Sequence, residues 1–96
     1  MNILVTYDVN TEDKEGRRRL RHVAKACEGC GQRVQLSVFE CRLNDTGLQR
    51  LICRLIDIMD RDVDSLRIYR LAEPRERSVW VFGRDTYFDP EGPLVL

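Results

Sequence analysis

The chain has 96 residues, 43% of them hydrophobic and 33% charged, with 16 basic and 16 acidic side chains giving a formal net charge of zero. That length allows one domain, the composition excludes a disordered chain, and no apolar run approaches the roughly 20 residues of a membrane span. The neutral total conceals an uneven distribution, because Lys14 to Lys25 holds six basic residues against Glu15 alone, whereas Asp57 to Asp64 holds four acids against Arg61. A polyanion meets a face of the protein, not its net charge.

In chain order, Asn2 to Val9 alternates, with Ile3, Val5 and Tyr7 on one side and Leu4, Thr6 and Asp8 on the other. Apolar residues on both sides predict a central strand. The opening Ile3-Leu4-Val5 has no basic region or cleavage pattern, so a secretory signal is not expected. Asn10-Thr11-Glu12-Asp13 supplies helix-start chemistry, short oxygen-bearing side chains and early acids at the positive end of the dipole. The helix is expected to run to about Glu28. Leu20, Val23, Ala24 and Cys27 stand at the spacing of one apolar face, with Gly16 a turn earlier, and Gly29 and Gly31 are suitable stops.

Arg33 to Leu43 reads as extended, and its apolar side switches near Ser37. That switch predicts a kink, a bulge or a very tight turn between two short strands. Asn44-Asp45-Thr46 caps a second helix whose stripe is Leu48, Leu51, Ile52, Leu55, Ile58 and Met59. A polar loop, Asp60 to Asp64, leads to a strand over Ser65 to Leu71. A charged turn and a last strand, Ser78 to Gly83, follow, and then a tail ending in Leu94-Val95-Leu96. The resulting α+β order, βαββαβ with an extra C-terminal strand, is that of a ferredoxin-like split βαβ fold, which by itself names no function.

The residues leave several readings open. Asp8, where a central strand leaves the sheet, suits a hard cation such as Mg²⁺ or merely caps the strand-to-helix turn. One carboxylate is too few for a phosphodiesterase metal site, but a two-fold dimer supplies two copies across one cleft. Arg18, Arg21, His22 and Lys25 fall opposite the apolar stripe of the first helix, with Arg17 and Arg19 flanking them, as either a phosphate-contacting surface or a solvated face. Tyr7 and Phe39 are base-stacking platforms or core aromatics. His22 is a weak candidate general base. Cys27-Glu28-Gly29-Cys30 is formally a C-x-x-C, but no second pair stands at zinc spacing, and buried, reduced thiols in a cytoplasmic protein are the expectation.

Three blocks occur in order: Val5-Thr6-Tyr7-Asp8-Val9, Gly16-Arg17-Arg18-Arg19-Leu20-Arg21, and Gly31-Gln32-Arg33-Val34-Gln35-Leu36-Ser37-Val38-Phe39-Glu40-Cys41. Together they resemble the signature of the CRISPR-associated protein 2 family. The resemblance implies a ferredoxin-like domain over residues 1–83, with a tail (84–96) that packs on the partner subunit or on an integrase. It implies a homodimer joined through its sheets, with Asp8 of each subunit on a shared Mg²⁺. In the family the residues matching Tyr7, Asp8, Arg17, Arg19, Arg33 and Phe39 are associated with nuclease activity, which makes Asp8 and Tyr7 the catalytic candidates. Arg17, Arg19, Arg33 and Phe39, with Arg18, Arg21 and Lys25 from the helix face, are the nucleic-acid-binding candidates. The implied function is spacer acquisition. The protein would act as an endonuclease on single-stranded RNA or double-stranded DNA, or as a scaffold that bridges dimers of the integrase CRISPR-associated protein 1 and supports duplex DNA.

Overall fold

A computed structural model describes residues 1–71 together with Trp80 and Phe82. Within them the order is β1 (Asn2–Asp8), α1 (Lys14–Glu28), β2 (Gly31–Gln35), β3 (Val38–Arg42), α2 (Asp45–Ile58) and β4 (Ser65–Leu71). The four strands form one sheet in the order β2-β3-β1-β4 with every neighbouring pair antiparallel. This is the expected split βαβ arrangement. The expected last strand and tail fall outside the described residues, apart from Trp80 and Phe82, which are 78% and 90% exposed.

Both helices start where the polar residues dictate. The Asp13 side chain accepts from the Glu15 N–H at 3.1 Å, and Asn44 accepts from the Gly47 N–H at 2.8 Å, each satisfying an otherwise orphaned first-turn donor. The buried face of α1 is Gly16, Leu20, Val23, Ala24, Ala26 and Cys27, the predicted stripe widened by Ala26. Gly16 lies against the chain between β1 and α1, where an added Cβ would stand 2.0 Å from the Asn10 carbonyl oxygen.

Gly29 closes the helix as expected, but Gly31 does not serve as a helix stop. It lies in β2 opposite Cys41, and a Cβ there would meet the Glu40 carbonyl oxygen at 1.9 Å. Its role is therefore close strand approach. The switch of apolar side near Ser37 resolves into two of the expected devices at once. Gln35 pairs with Val38 across a two-residue Leu36-Ser37 turn, and the register shifts between Arg33 and Gln35. The extra residue flips the side-chain alternation.

The helices cover one face of the sheet. Ile3, Val5 and Tyr7 of β1 and Phe39 and Cys41 of β3 meet Leu20, Val23, Cys27, Leu51 and Leu55 in a single core. The other face is not covered by any described element. Register places Leu4, Thr6 and Asp8 there beside Val38 and Glu40 on one side and Ser65, Arg67, Tyr69 and Leu71 on the other.

Candidate functional site

The carboxyl end of β1 carries two neighbouring side chains on opposite faces, as the strand pleat requires. Tyr7 points into the core and is 1% exposed. Asp8 is exposed on the uncovered face, opposite Ser65 of β4, and no described side chain bonds to its carboxylate. Arg67 lies on the same face, opposite Thr6, and donates from Nη1 to the Tyr69 hydroxyl at 3.2 Å.

Beneath that end lies a polar network that no sequence pattern announced. The Tyr7 hydroxyl donates to Asp64 Oδ2. Arg19 reaches the same carboxylate with two donors, Nε to Oδ2 at 2.8 Å and Nη2 to Oδ1 at 3.1 Å. The Asp60 N–H also donates to Oδ2, at 3.0 Å, while the Asp64 N–H returns to the Asp60 carbonyl at 2.8 Å. The Asp64 side chain is fully buried and that of Arg19 is 17% exposed. A planar guanidinium fork on a carboxylate is a strong, oriented ion pair.

The ionisation of the network follows from this geometry. Burial pushes the Asp64 carboxyl up, but the Arg19, Tyr7 and Asp60 hydrogen bonds together overcome it and hold the group below the usual carboxylate range. Burial first, then the Asp64 hydrogen bond and charge, drive the Tyr7 phenol well above its ordinary value. Tyr7 is therefore a neutral donor rather than a phenolate base. The Asp64 hydrogen bond raises the already basic Arg19 further.

The other candidate residues divide clearly. Arg18, Arg21 and Lys25 are exposed on the outer face of α1, Arg18 with a long 3.9 Å pairing to Glu15. His22 is exposed beside them. Arg17 is exposed but donates to the Thr11 and Glu12 carbonyls at 3.0 Å each, tying the β1–α1 connection to the helix. Phe39 is 0% exposed and cannot stack on a base, because it faces the helices rather than the open sheet face. Arg33 is half-buried with its guanidinium 5.3 Å from the Phe39 ring centroid, a cation–π contact. Its Nε is buried without a hydrogen-bond partner. Strand pleat sends Tyr7 and Phe39 inward, and the Asp64 carboxylate holds the Arg19 fork inward.

The thiols carry no chemistry of this kind. Cys27, Cys30 and Cys41 are free. Hydrogen bonding to Cys41 and then burial raise Cys30, and hydrogen bonding with Cys27 and burial carry Cys41 up to about 12. Metal-binding and redox thiols need the opposite shift, toward the thiolate. No group of three His, Cys, Asp or Glu side chains able to hold a metal ion occurs among the described residues. The exposed oxygen donor of Asp8 is of the type a divalent hard cation takes, but one carboxylate does not make a site within one protomer.

The fold and this site define a ferredoxin-like α+β protein with an exposed carboxylate at the end of a central strand and a basic outer helix. The family model described as CRISPR associated protein Cas2 matches residues 1–79, and the chain belongs to that family. It is 49% identical over 96 residues to CRISPR-associated endoribonuclease Cas2 1 of Moorella thermoacetica, covering 100% of both chains. It is 47% identical to CRISPR-associated endonuclease Cas2 of Halalkalibacterium halodurans, again over the whole of both. The crystal structure of Streptococcus pyogenes Cas2 at pH 6.5 superposes with a TM-score of 0.83 at 51% identity, covering 86% of this chain and 100% of that one. No described helix is long and apolar enough to cross a membrane.

Proposed function

We propose that the protein is a nucleic-acid phosphodiesterase of CRISPR adaptation that works as a homodimer, with Asp8 of each protomer holding a shared Mg²⁺. The observation that carries this reading is the placement of Asp8, an exposed carboxylate with no described partner at the end of β1. It stands on a sheet face that bears Leu4, Val38, Leu71 and the 44%-exposed Tyr69. A face that mixes these apolar side chains with Thr6, Glu40, Ser65 and Arg67 suits a second copy, and a two-fold operation supplies the second carboxylate. The names of the relatives, an endoribonuclease and an endonuclease, support a phosphodiester substrate.

When bound, a divalent cation at such a site polarises a phosphate and lowers the pKa of a water. The chain's own part is to supply the carboxylates and to orient them. Exposed Arg18, Arg21 and Lys25 hold the substrate backbone without reading its sequence. The same basic surface favours a second reading, a scaffold that supports duplex DNA between dimers of the integrase CRISPR-associated protein 1 and cuts nothing.

Asp8→Asn separates the two. It keeps the side-chain shape and removes one charge from each half-site, so Mg²⁺-dependent cleavage of single-stranded RNA or duplex DNA is expected to fall by about a hundredfold or more. Melting temperature and duplex affinity, measured on the same preparations, are expected to hold. Cleavage that persists in the variant rules out Asp8 as the metal ligand. Absence of cleavage in both proteins, with duplex binding intact, assigns the scaffold role.

A further inference from the structure

Arg19 sits in the basic run of α1, yet its side chain turns inward and is 17% exposed. Its fork closes on Asp64, 45 residues later, and the same carboxylate receives the Tyr7 hydroxyl and the Asp60 N–H. Three separate parts of the chain, namely α1, the end of β1 and the loop before β4, therefore converge on one buried group. Both strands that carry the open-face site are held within one residue of it. Tyr7 precedes Asp8 on β1, and Asp64 precedes Ser65, the residue opposite Asp8 on β4. A buried charge that accepts four hydrogen bonds from three parts of the chain tolerates little displacement, because every donor would be left unpaired in a medium of low dielectric.

We infer that Asp64 is a positioning residue for the Asp8 site, and that Arg19 serves the reaction as the internal counter-ion of Asp64 rather than as a contact to nucleic acid. The inference rests on the reading of Asp8 as the metal-holding carboxylate. The lock sits on the covered face and Asp8 on the open one, so the coupling runs through the backbone of β1 and β4. It fixes where two adjacent strand ends lie relative to α1. Loosening it shifts a carboxylate that has no described tether of its own, and displacements on the order of 1 Å cost up to a hundredfold in rate.

The test is a cycle of Asp64→Asn, Arg19→Gln and the double variant in the full-length protein, with Tyr7→Phe as a milder change that leaves the ion pair in place. Four quantities are read: the amide ¹H–¹⁵N shifts of Asp8 and Ser65, the Mg²⁺ concentration that half-saturates the Asp8 shift, duplex Kd in the absence of metal, and kcat with KM for cleavage. Asp64→Asn and Arg19→Gln are each expected to move the Asp8 and Ser65 shifts, to raise the Mg²⁺ midpoint, and to lower kcat about tenfold with KM unchanged. The double variant is expected to be no worse than the poorer single one. Duplex Kd is expected to stay within about twofold throughout. Tyr7→Phe is expected to fall between wild type and Asp64→Asn.

Arg19→Gln weakening duplex binding by the same factor with and without Asp64 would make Arg19 a phosphate contact and overturn the inference. So would Asp8 and Ser65 shifts that ignore Asp64→Asn and Tyr7→Phe. Should the wild type not cleave, or Asp8→Asn cleave normally, the nuclease reading fails. The amide shifts and duplex Kd still decide whether Asp64 holds the strand ends.

Discussion

The two faces of the sheet put similar chemistry to opposite use. On the covered face, Tyr7, Arg19 and Asp64 satisfy one another, and the aromatic candidates Tyr7 and Phe39 are buried. On the open face, Asp8 has no described partner; Ser65 lies opposite it and Thr6 and Arg67 next along the face, with Leu4, Tyr69 and Leu71 further down the strands. Adjacent residues of one strand thus stand in opposite environments, Tyr7 bonded in the core and Asp8 exposed. A polar group in the core must be paired to be tolerated, whereas an exposed carboxylate is satisfied by solvent.

That contrast can be broken most forcefully at Asp64. Asp64→Ala strands the Arg19 charge and the Tyr7 hydroxyl in the interior and is expected to cost about 3 kcal/mol, a fall in Tm of more than about 10 °C. An unchanged Tm would mean the network contributes nothing to the fold.

A matched pair on β1 sharpens the comparison. Val5→Ala empties part of the core and is expected to cost about 2 kcal/mol by denaturant unfolding. Leu4→Ala, one residue away on the open face, is expected to cost the protomer less than about 1 kcal/mol while raising the dimer Kd in sedimentation. Equal losses at both positions would erase the distinction between the faces.

Acid gives a graded form of the Asp64 experiment. The folded-state pKa of Asp64 lies below its ordinary value, so its ionised form stabilises the native state above that ordinary value, and the contribution is lost as pH falls through the folded pKa. From pH 7 to about 5 this group is expected to leave Tm unchanged; the loss begins below about pH 4. The Asp64→Asn variant is expected to lack this acid component in Tm-against-pH curves.

The smallest expected effect lies on the outer face of α1. Replacing Arg18 and Arg21 by Ala is expected to weaken duplex binding about equally for unrelated sequences. The salt slope is expected to fall by about one unit for each phosphate that is no longer neutralised. Core stability is expected to be untouched. Unchanged affinity would make the outer face of α1 a solvated face and place the binding surface elsewhere.

Most of the fold is legible from local chemistry. Asp13 and Asn44 begin the helices because their side-chain oxygens meet first-turn amides, and the α1 stripe faces inward because its spacing repeats with the helix turn. The alternation of β1 assigns Tyr7 and Asp8 to opposite sides without assigning either side to solvent. Gly31 reads as a helix stop because its neighbours in sequence belong to the helix it follows, whereas the strand it touches comes ten residues later.

By itself the sequence determined the elements through β4, their polar and apolar sides and the basic character of α1, since each depends on residues within a few turns of one another, and the family resemblance, which rests on the order of three blocks between Val5 and Cys41. The tertiary structure alone decided which of the arginines is spent internally, that Phe39 is buried beneath Arg33, and that Asp64 ties the end of β1 to α1. Helical phase ranks Arg17 and Arg19 alike as flanking residues. Only the packing of α1 against the loop before β4 brings a carboxylate 45 residues away onto the fork of Arg19, because a long-range partner is chosen by how helices and sheet dock and not by any local period.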